Sequence, residues 1–423
     1  MRKFYFASLL AFVWVMAATG ASAQNYYTKQ VIIVNGGDYS NPDDYVTVAS
    51  YNPATGETTE FATIYTQSVQ DVLIVPPYAY VAAQDSIVLL NIDTYEKLAT
   101  VEAHGVNKLA AIGDLLVASF WYPATGNFVR TYLLSNVWPQ HEFPEISDEA
   151  AGMMVMGENY VLVAVPGAYG STTGKVAVID MNNNEVMSED DFGEFFTRIG
   201  YFAENNGLVN VFMKTAYGGT TFNVATVNMQ GEIVDQFTYE DDSLANATGQ
   251  MNSDIYLELN NGIGKYDLNS HEITNPSVVP VQEMTIGASV LDTVNNLFYL
   301  TTTDFYSTGA GFIYNMDGEK TGSFEAGISA QAIAVDYREA AGINEQYAVE
   351  LLTVFPNPAG DKVNLNIPAN QQIDKIVVTD ISGKVVITGM DVRNMDTSSL
   401  HSGIYFVTVY SDNTVYTGKF IKN

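Results

Sequence analysis

A weak repeat runs through residues 24–350, and it limits the fold more than any other feature of the chain. Its clearest unit is a strand that ends in Asp or Asn, a short turn, and a second strand. Examples are Val88–Asp93 before Lys97, Val176–Asp180 before Glu185, Val224–Asn228 before Glu232, Lys265–Asp267 before Glu272, and Ile313–Asn315 before Glu319. Taking Val46, Val88, Arg130, Val176, Val224, Gly264 and Ile313 as equivalent, the spacings are 42, 42, 46, 48, 40 and 49 residues. A period in the forties with four short strands per unit predicts an all-β chain built as a β-propeller, because each small sheet buries its faces only against its neighbours. In the second unit the strands fall at Val72–Val75, Tyr78–Ala83, Ile87–Ile92 and Lys97–Val101. Later units start at Val106 and near Gly152, Thr197, Ala247 and Met284. The first unit, Val31–Ile64, holds three strands, and Ala330–Asp336 is a lone first strand. The lone strand is expected to complete the first unit and close a seven-bladed ring, which removes open sheet edges. The third and sixth units are irregular, so six and eight blades remain the alternatives.

Composition narrows the function. The 423 residues contain no cysteine, which excludes disulfide scaffolds, thiolate metal sites and cysteine nucleophiles. Forty-eight acidic residues against 18 basic ones give a net charge of -30, which argues against nucleic acid as a partner. Hydrophobic content of 47% with 12% aromatics can bury a large core, so the acidity is not that of a disordered chain.

The two ends differ from the middle. Arg2 and Lys3, the apolar run Phe4–Ala18 and the small residues Ala21–Ser22–Ala23 read as a secretory signal peptide over 1–23. Residues 24–337 are assigned to the propeller, 338–350 to a linker, and 351–423 to a small antiparallel β-sandwich with strands at 362–367, 375–379, 384–388, 404–410 and 415–421. Four ordered motifs lie in that last segment: Phe355-Pro-Asn-Pro, Asp380-Ile-Ser-Gly-Lys384, Leu400-His-Ser-Gly-Ile-Tyr-Phe406 and Lys419-Phe-Ile-Lys422. In these the segment resembles the type A sorting domain of the type IX secretion system of Bacteroidetes. The resemblance implies translocation across the outer membrane, the secretion machinery as a partner, and release or attachment at the cell surface. The repeat region is similar in its strand-Asp-turn pattern to the YVTN-type surface propellers of bacteria, although no unit carries that tetrapeptide. Comparable propellers of gut Bacteroidetes capture cobamides beside outer-membrane transporters, which implies by architecture alone a surface protein that delivers a ligand to a transporter.

No catalytic signature stands in the sequence. His104, His141, His271 and His401 share no metal spacing, and no nucleophile elbow, phosphate loop or dinucleotide fingerprint occurs. Asp180-Met-Asn-Asn-Asn184 has the opening of a calcium loop without its glycine or closing glutamate, and reads better as a β-turn. Neither a cofactor nor a metal is implied. A second pattern points to binding. Five second-to-third-strand loops set an aromatic side chain among Gly, Ser and Thr: Tyr39, Trp121 with Tyr122, Tyr169, Tyr217 and Tyr306. That is the composition of recognition loops, and they share a face with the loops between blades. Of the ten basic residues in 24–350, Lys108, Arg198 and Lys214 are placed near the same face and could hold an anionic group, unless nearby Asp and Glu pair with them. The expectation is a ligand-binding surface propeller for a cobamide, glycan or other small molecule. A propeller-based lyase or hydrolase and a protein-protein scaffold are the alternatives.

Overall fold

The structure, a computed structural model, describes residues 26–228, 230–281, 285–339, 348–368, 371, 373–381, 384–389, 393–411 and 414–423. The expected signal peptide, Met284, most of the expected linker and the Ser382–Gly383 turn lie outside the described residues. The chain divides into two compact units, 1–339 and 340–423.

Among the described residues the first unit is all β apart from one short 3-10 turn at Glu194–Phe196, with seven four-stranded antiparallel sheets. Sheets 2 to 7 span 69–102, 106–142, 153–191, 199–240, 247–280 and 285–328, each a simple meander. Sheet 1 joins the first and last described strands of the unit: Ala330–Glu339 pairs with Tyr26–Asn35, followed by Val46–Asn52 and Glu57–Ile64. First strands adjoin one another in the series sheet 6, 7, 1, 2, 3, 4, 5, with the late strand Ala330–Glu339 acting as the first strand of sheet 1. The expected linker start at 338 is corrected, because Arg338 and Glu339 still belong to that strand. Ala348–Leu351 is likewise a strand.

The repeat seen in the sequence has a physical cause. The Asp or Asn that ends the third strand in every sheet but sheet 3 caps the following turn by accepting backbone N–H bonds. Asp180 accepts from Asn182 and Asn183, Asp267 from Asn269 and Ser270, and Asn91 from Asp93 and Thr94. Asn52, Asn228 and Asn315 do the same. The supposed calcium loop at Asp180 is therefore a turn of this kind. In the loops, Asp44, Asp191 and Asp242 also accept backbone N–H groups.

Alternation decides which neighbour each residue meets. Val31 and Ile33 pack with Tyr299, Ile313 and Phe324 of sheet 7, whereas Ile32 and Val34 pack with Val72, Val81 and Val88 of sheet 2. Similar clusters join sheets 4 and 5, 5 and 6, and 6 and 7. A strand buried on both faces needs a continuous apolar run, which explains Val31-Ile-Ile-Val34. The outermost strands, such as Ile233–Glu240, are mostly exposed.

A polar clasp fixes the junction of the unit's first and last described strands. Arg338 donates to Asp336 (2.6 and 2.8 Å) and to Asp93 of sheet 2 (2.7 and 3.1 Å). Lys29 also binds Asp93, at 2.6 Å. Gln30 reaches Asp336 at 2.9 Å and the Ile92 carbonyl at 3.0 Å. The Arg338 guanidinium and then the Lys29 ammonium hold the Asp93 carboxyl below its usual range, against burial.

The second unit has a five-stranded and a three-stranded sheet. Val363, Leu365 and Met395 of the smaller sheet share one core with Ile376, Val378, Val407 and Phe420 of the larger. The expected strands are present, with one correction to the antiparallel pattern: Ala348–Leu351 pairs parallel to the last strand.

Candidate functional site

One cavity of about 560 Å³ is lined by residues of all seven sheets of the first unit. A repeated backbone feature builds it. In six sheets the register between first and second strand skips a residue near the strand start: Gln331, Gln70, Asn107 with Lys108, Gly200, Thr248 and Gly287. In sheet 4, Ala151 and Gly152 both bond to Ala164, with the same effect. A β-bulge turns its extra residue out of the ladder. Here the bulged residues of every sheet except sheet 6 face the cavity, and Asn246 stands in for Thr248.

The bulges carry either amides or glycines. Gln70, Asn107 and Gln331 supply side chains on one side of the cavity, while Gly152, Gly200 and Gly287 lie on the other. The glycines permit close approach. A Cβ on Gly152 would stand 2.1 Å from the Gly200 carbonyl oxygen, and one on Gly200 would stand 2.8 Å from the Cγ and Cε of Lys214. The Lys214 stem thus lies across the bare backbone of Gly200.

The three expected cations meet in this cavity, and their pairing differs. Lys108 donates to the Gln70 carbonyl at 2.8 Å and lies 3.6 Å from Asp71. Neither Arg198 nor Lys214 forms an ion pair with a described carboxylate. The two stand side by side, since Ile199 pairs with Met213 and the Lys214 N–H donates to the Arg198 carbonyl at 3.0 Å. Arg198 has φ 67°, in the left-handed region. A non-glycine residue there carries strain of the kind that collects at functional sites.

Electrostatics follow from burial. Desolvation, with a further push from the Lys108 charge, brings the Lys214 ammonium down to about 8, and Glu258 acts in the opposite direction. Glu258 is buried in sheet 6 and accepts from Ser289 at 2.5 Å; burial pushes its carboxyl up. Sheet 5 also holds three buried polar atoms without partners among the described residues: the Tyr201 hydroxyl, Asn210 Oδ1 and Thr226 Oγ1.

Loop-borne aromatic residues of sheets 3 and 4 complete the lining. Trp121 and Tyr169 line the cavity; Trp121 is 40% exposed and Tyr169 fully exposed. Asp148 anchors the Tyr169 loop by accepting the N–H groups of Glu149 (2.8 Å) and Ala168 (3.1 Å). Glu149 is a rim carboxylate, raised by burial and opposed by the Tyr122 N–H that bonds to it.

Of the nine candidate residues, five share this cavity: Lys108, Trp121, Tyr169, Arg198 and Lys214. Tyr39, Tyr122, Tyr217 and Tyr306 are exposed but do not line it. The expected ring of aromatics therefore reduces, at the cavity, to the loops of sheets 3 and 4. Sequence reading missed Gln70, Asn107, Glu149, Asn246 and Gln331. The signal that marks them is a polar or glycine residue recurring near the start of each first strand. Among the described residues no group of three or more His, Asp or Glu could hold a metal.

In the second unit the four motifs do structural work. Asn357 accepts the Ile421 N–H at 2.9 Å and so ties the Phe355-Pro-Asn-Pro segment to the last strand. The Asp380 carboxylate accepts the Lys384 N–H, and the Tyr405 hydroxyl donates to the His401 carbonyl. Residues 353–423 match the family described as the secretion system C-terminal sorting domain. The protein is thus a type IX export substrate, destined for the cell surface or the medium. Among the described residues no helix is long and apolar enough to cross a membrane. No curated protein matches the chain. Among solved structures it is similar to a protein from Lactobacillus plantarum, at 11% identity and TM-score 0.52, over 72% of this chain and 99% of that one. It is also similar to the extracellular domain of a hybrid two-component system from B. thetaiotaomicron, at 11% identity and TM-score 0.51, over 95% of this chain and 56% of that one. At such identity the likeness concerns the fold alone.

Proposed function

We propose that the seven sheets are the blades of one propeller of the YVTN-like kind, followed by a sorting sandwich from residue 351, and that the exported protein binds a small ligand in the cavity at its centre. The observation that carries this is the cavity itself. Seven sheets contribute to it, two of its cations are unpaired, and its volume of about 560 Å³ lies within the usual span of small-molecule sites. Trp121 and Tyr169 offer flat apolar surface to a sugar ring or to the edge of a cobamide, the ligands suggested by architecture. An outer-membrane transporter would then be the recipient of the cargo.

The enzyme reading is weaker on this geometry. Glycoside hydrolysis by two carboxylates needs a facing pair, and the cavity lining holds a single carboxylate, Glu149. The test is a thermal-shift screen of the full chain against cobamides, neutral and acidic oligosaccharides, and small organic acids. Binding predicts a concentration-dependent rise in melting temperature with at least one class. A response that survives Trp121→Ala with Tyr169→Ala would place the ligand elsewhere. No response to any class would favour the scaffold reading.

A further inference from the structure

The cavity's charge is opposite to that of the body around it. Residues 24–350 hold 42 acidic and ten basic side chains. The cavity lining reverses this ratio, with Lys108, Arg198 and Lys214 against Glu149 alone. Six of the ten cations have a carboxylate within 4 Å among the described residues, and Lys97 and Lys320, which have none, are exposed on outer strands. Lys29, Lys175, Lys265 and Arg338 each have a carboxylate at 3.1 Å or closer. Arg198 and Lys214 have none among the described residues, although they are neighbours on adjacent strands. Burial and the Lys108 charge make the Lys214 ammonium costly in the empty protein, Glu258 offsets that only in part, and a bound anion would relieve the rest.

Geometry favours the same ligand. A guanidinium offers a planar fork of donors that matches a carboxylate or phosphate, and an ammonium adds a point charge to it. The stem of Lys214 rests on Gly200, where the absence of a side chain leaves it room. The backbone bond from Lys214 to the Arg198 carbonyl fixes the spacing of the two residues. Lys108 is partly engaged by Asp71 and the Gln70 carbonyl, so it adds field rather than a free fork.

We propose that the cavity is specific for a small molecule bearing a carboxylate or phosphate group, clamped between Arg198 and Lys214, with its apolar part against Trp121 and Tyr169. This deepens the binding reading above and rests on it. The amides of Gln70, Asn107 and Gln331 also line the cavity but are engaged within the protein: Asn107 donates to the Ala150 carbonyl, Gln70 donates to Ser68 Oγ, and Gln331 accepts from Ser329 Oγ.

The test uses the full chain and four probes of one shape: benzoate, phenyl phosphate, benzamide and benzyl alcohol. Trp121 lines the cavity, so tryptophan emission reports occupancy, and saturation-transfer NMR gives a second readout. Benzoate, phenyl phosphate or both should bind at least about ten-fold tighter than the neutral probes, as charge-assisted hydrogen bonds imply. Benzoate alone would assign a carboxylate and phenyl phosphate alone a phosphate. Arg198→Gln and Lys214→Met should each remove that preference while leaving neutral-probe binding unchanged, and Tyr306→Ala should alter neither. Unchanged circular dichroism and tryptophan emission without ligand would show that the variants are folded. Neutral probes binding as tightly as the anions would overturn the anion clamp and leave the binding reading standing. Failure of all four probes, together with a silent thermal-shift screen, would overturn both.

Discussion

Lys214→Met should make the protein more stable, and the structure sets the size of the effect. The Lys214 ammonium sits lower than usual, at about 8 against 10.5, chiefly through burial and then through the charge of Lys108. A difference of that size corresponds to about 3 kcal/mol spent holding the charge in the folded state at neutral pH. The cavity opens to water, and Glu258 loses a favourable neighbour in the variant, so a net gain of about 1–2 kcal/mol is expected. Methionine keeps the unbranched stem over Gly200, so the packing change is small. The sign with pH follows from linkage. Between about 8 and 10.5 the unfolded chain binds the proton that folded Lys214 has lost, so the wild type gains stability as pH rises through that range. Below about 8 both states are protonated and the full cost is present. The advantage of Lys214→Met should therefore be greatest near pH 6–7 and largely gone near pH 10. Denaturant unfolding followed by tryptophan emission measures it, because Trp121 and Trp138 both lie in the first unit. A variant less stable than wild type at pH 7, or a gain independent of pH, would refute the reasoning.

The same protonation predicts that benzoate affinity falls as pH rises past about 8 in the wild type and loses that dependence in Lys214→Met, which titration calorimetry would show. The charged or titratable groups acting on Lys214 are Lys108 and Glu258, with Arg198 beside it. Arg338→Met should cost about 3–5 kcal/mol, since it leaves the fully buried Asp336 without its cation, and the tryptophan unfolding curve would show the loss. Asp93→Asn should destabilise the protein at pH 6 and by progressively less as pH falls below the usual carboxylate range, because the carboxyl is held below that range and its contribution is lost as pH falls through its folded-state value, which denaturant unfolding at a series of pH values would show. Tyr169→Ala should weaken probe binding about two- to ten-fold, the worth of one aromatic contact, whereas Tyr217→Ala should leave the dissociation constant unchanged.

The repeat was readable because turn chemistry left a mark in the sequence. An Asp or Asn that caps a turn must fall at the end of a strand, so Asn91, Asp180 and Asp267 announced the sheets they close. The three-strand first unit and the lone Ala330–Asp336 strand foretold the shared sheet 1, because a strand buried on both faces must find a partner. Sheet 3 was harder to read, since its third strand ends without that cap and its fourth is only Pro139–Glu142. The cavity was half legible. Cations stand out in an acidic chain, so Lys108, Arg198 and Lys214 were visible. Which tyrosines reach the cavity depends on loop path, which Gly, Ser and Thr do not encode, and four of the six aromatics point elsewhere. Glu149 was hidden among some forty other acidic residues.

The bulges explain why only part of that site could be read. A bulge shifts one residue out of the two-residue alternation that identifies a strand, so it shows as noise in a hydrophobic pattern. Here the noise recurs: Gln70, Asn107, Gly152, Gly200, Gly287 and Gln331 interrupt their first strands near the same point and converge on one cavity. A defect repeated in every sheet is a constructed feature. It gives inner strands buried among their neighbours a place to present polar groups without losing their ladders. It also brings the cations together. Lys108, with Asp71 at 3.6 Å, stands on a bulge itself, and the bulge at Gly200 follows Arg198 and underlies the stem of Lys214, so all three line the cavity. The acidity of the body and the positive charge of the cavity are thus separated by one backbone device.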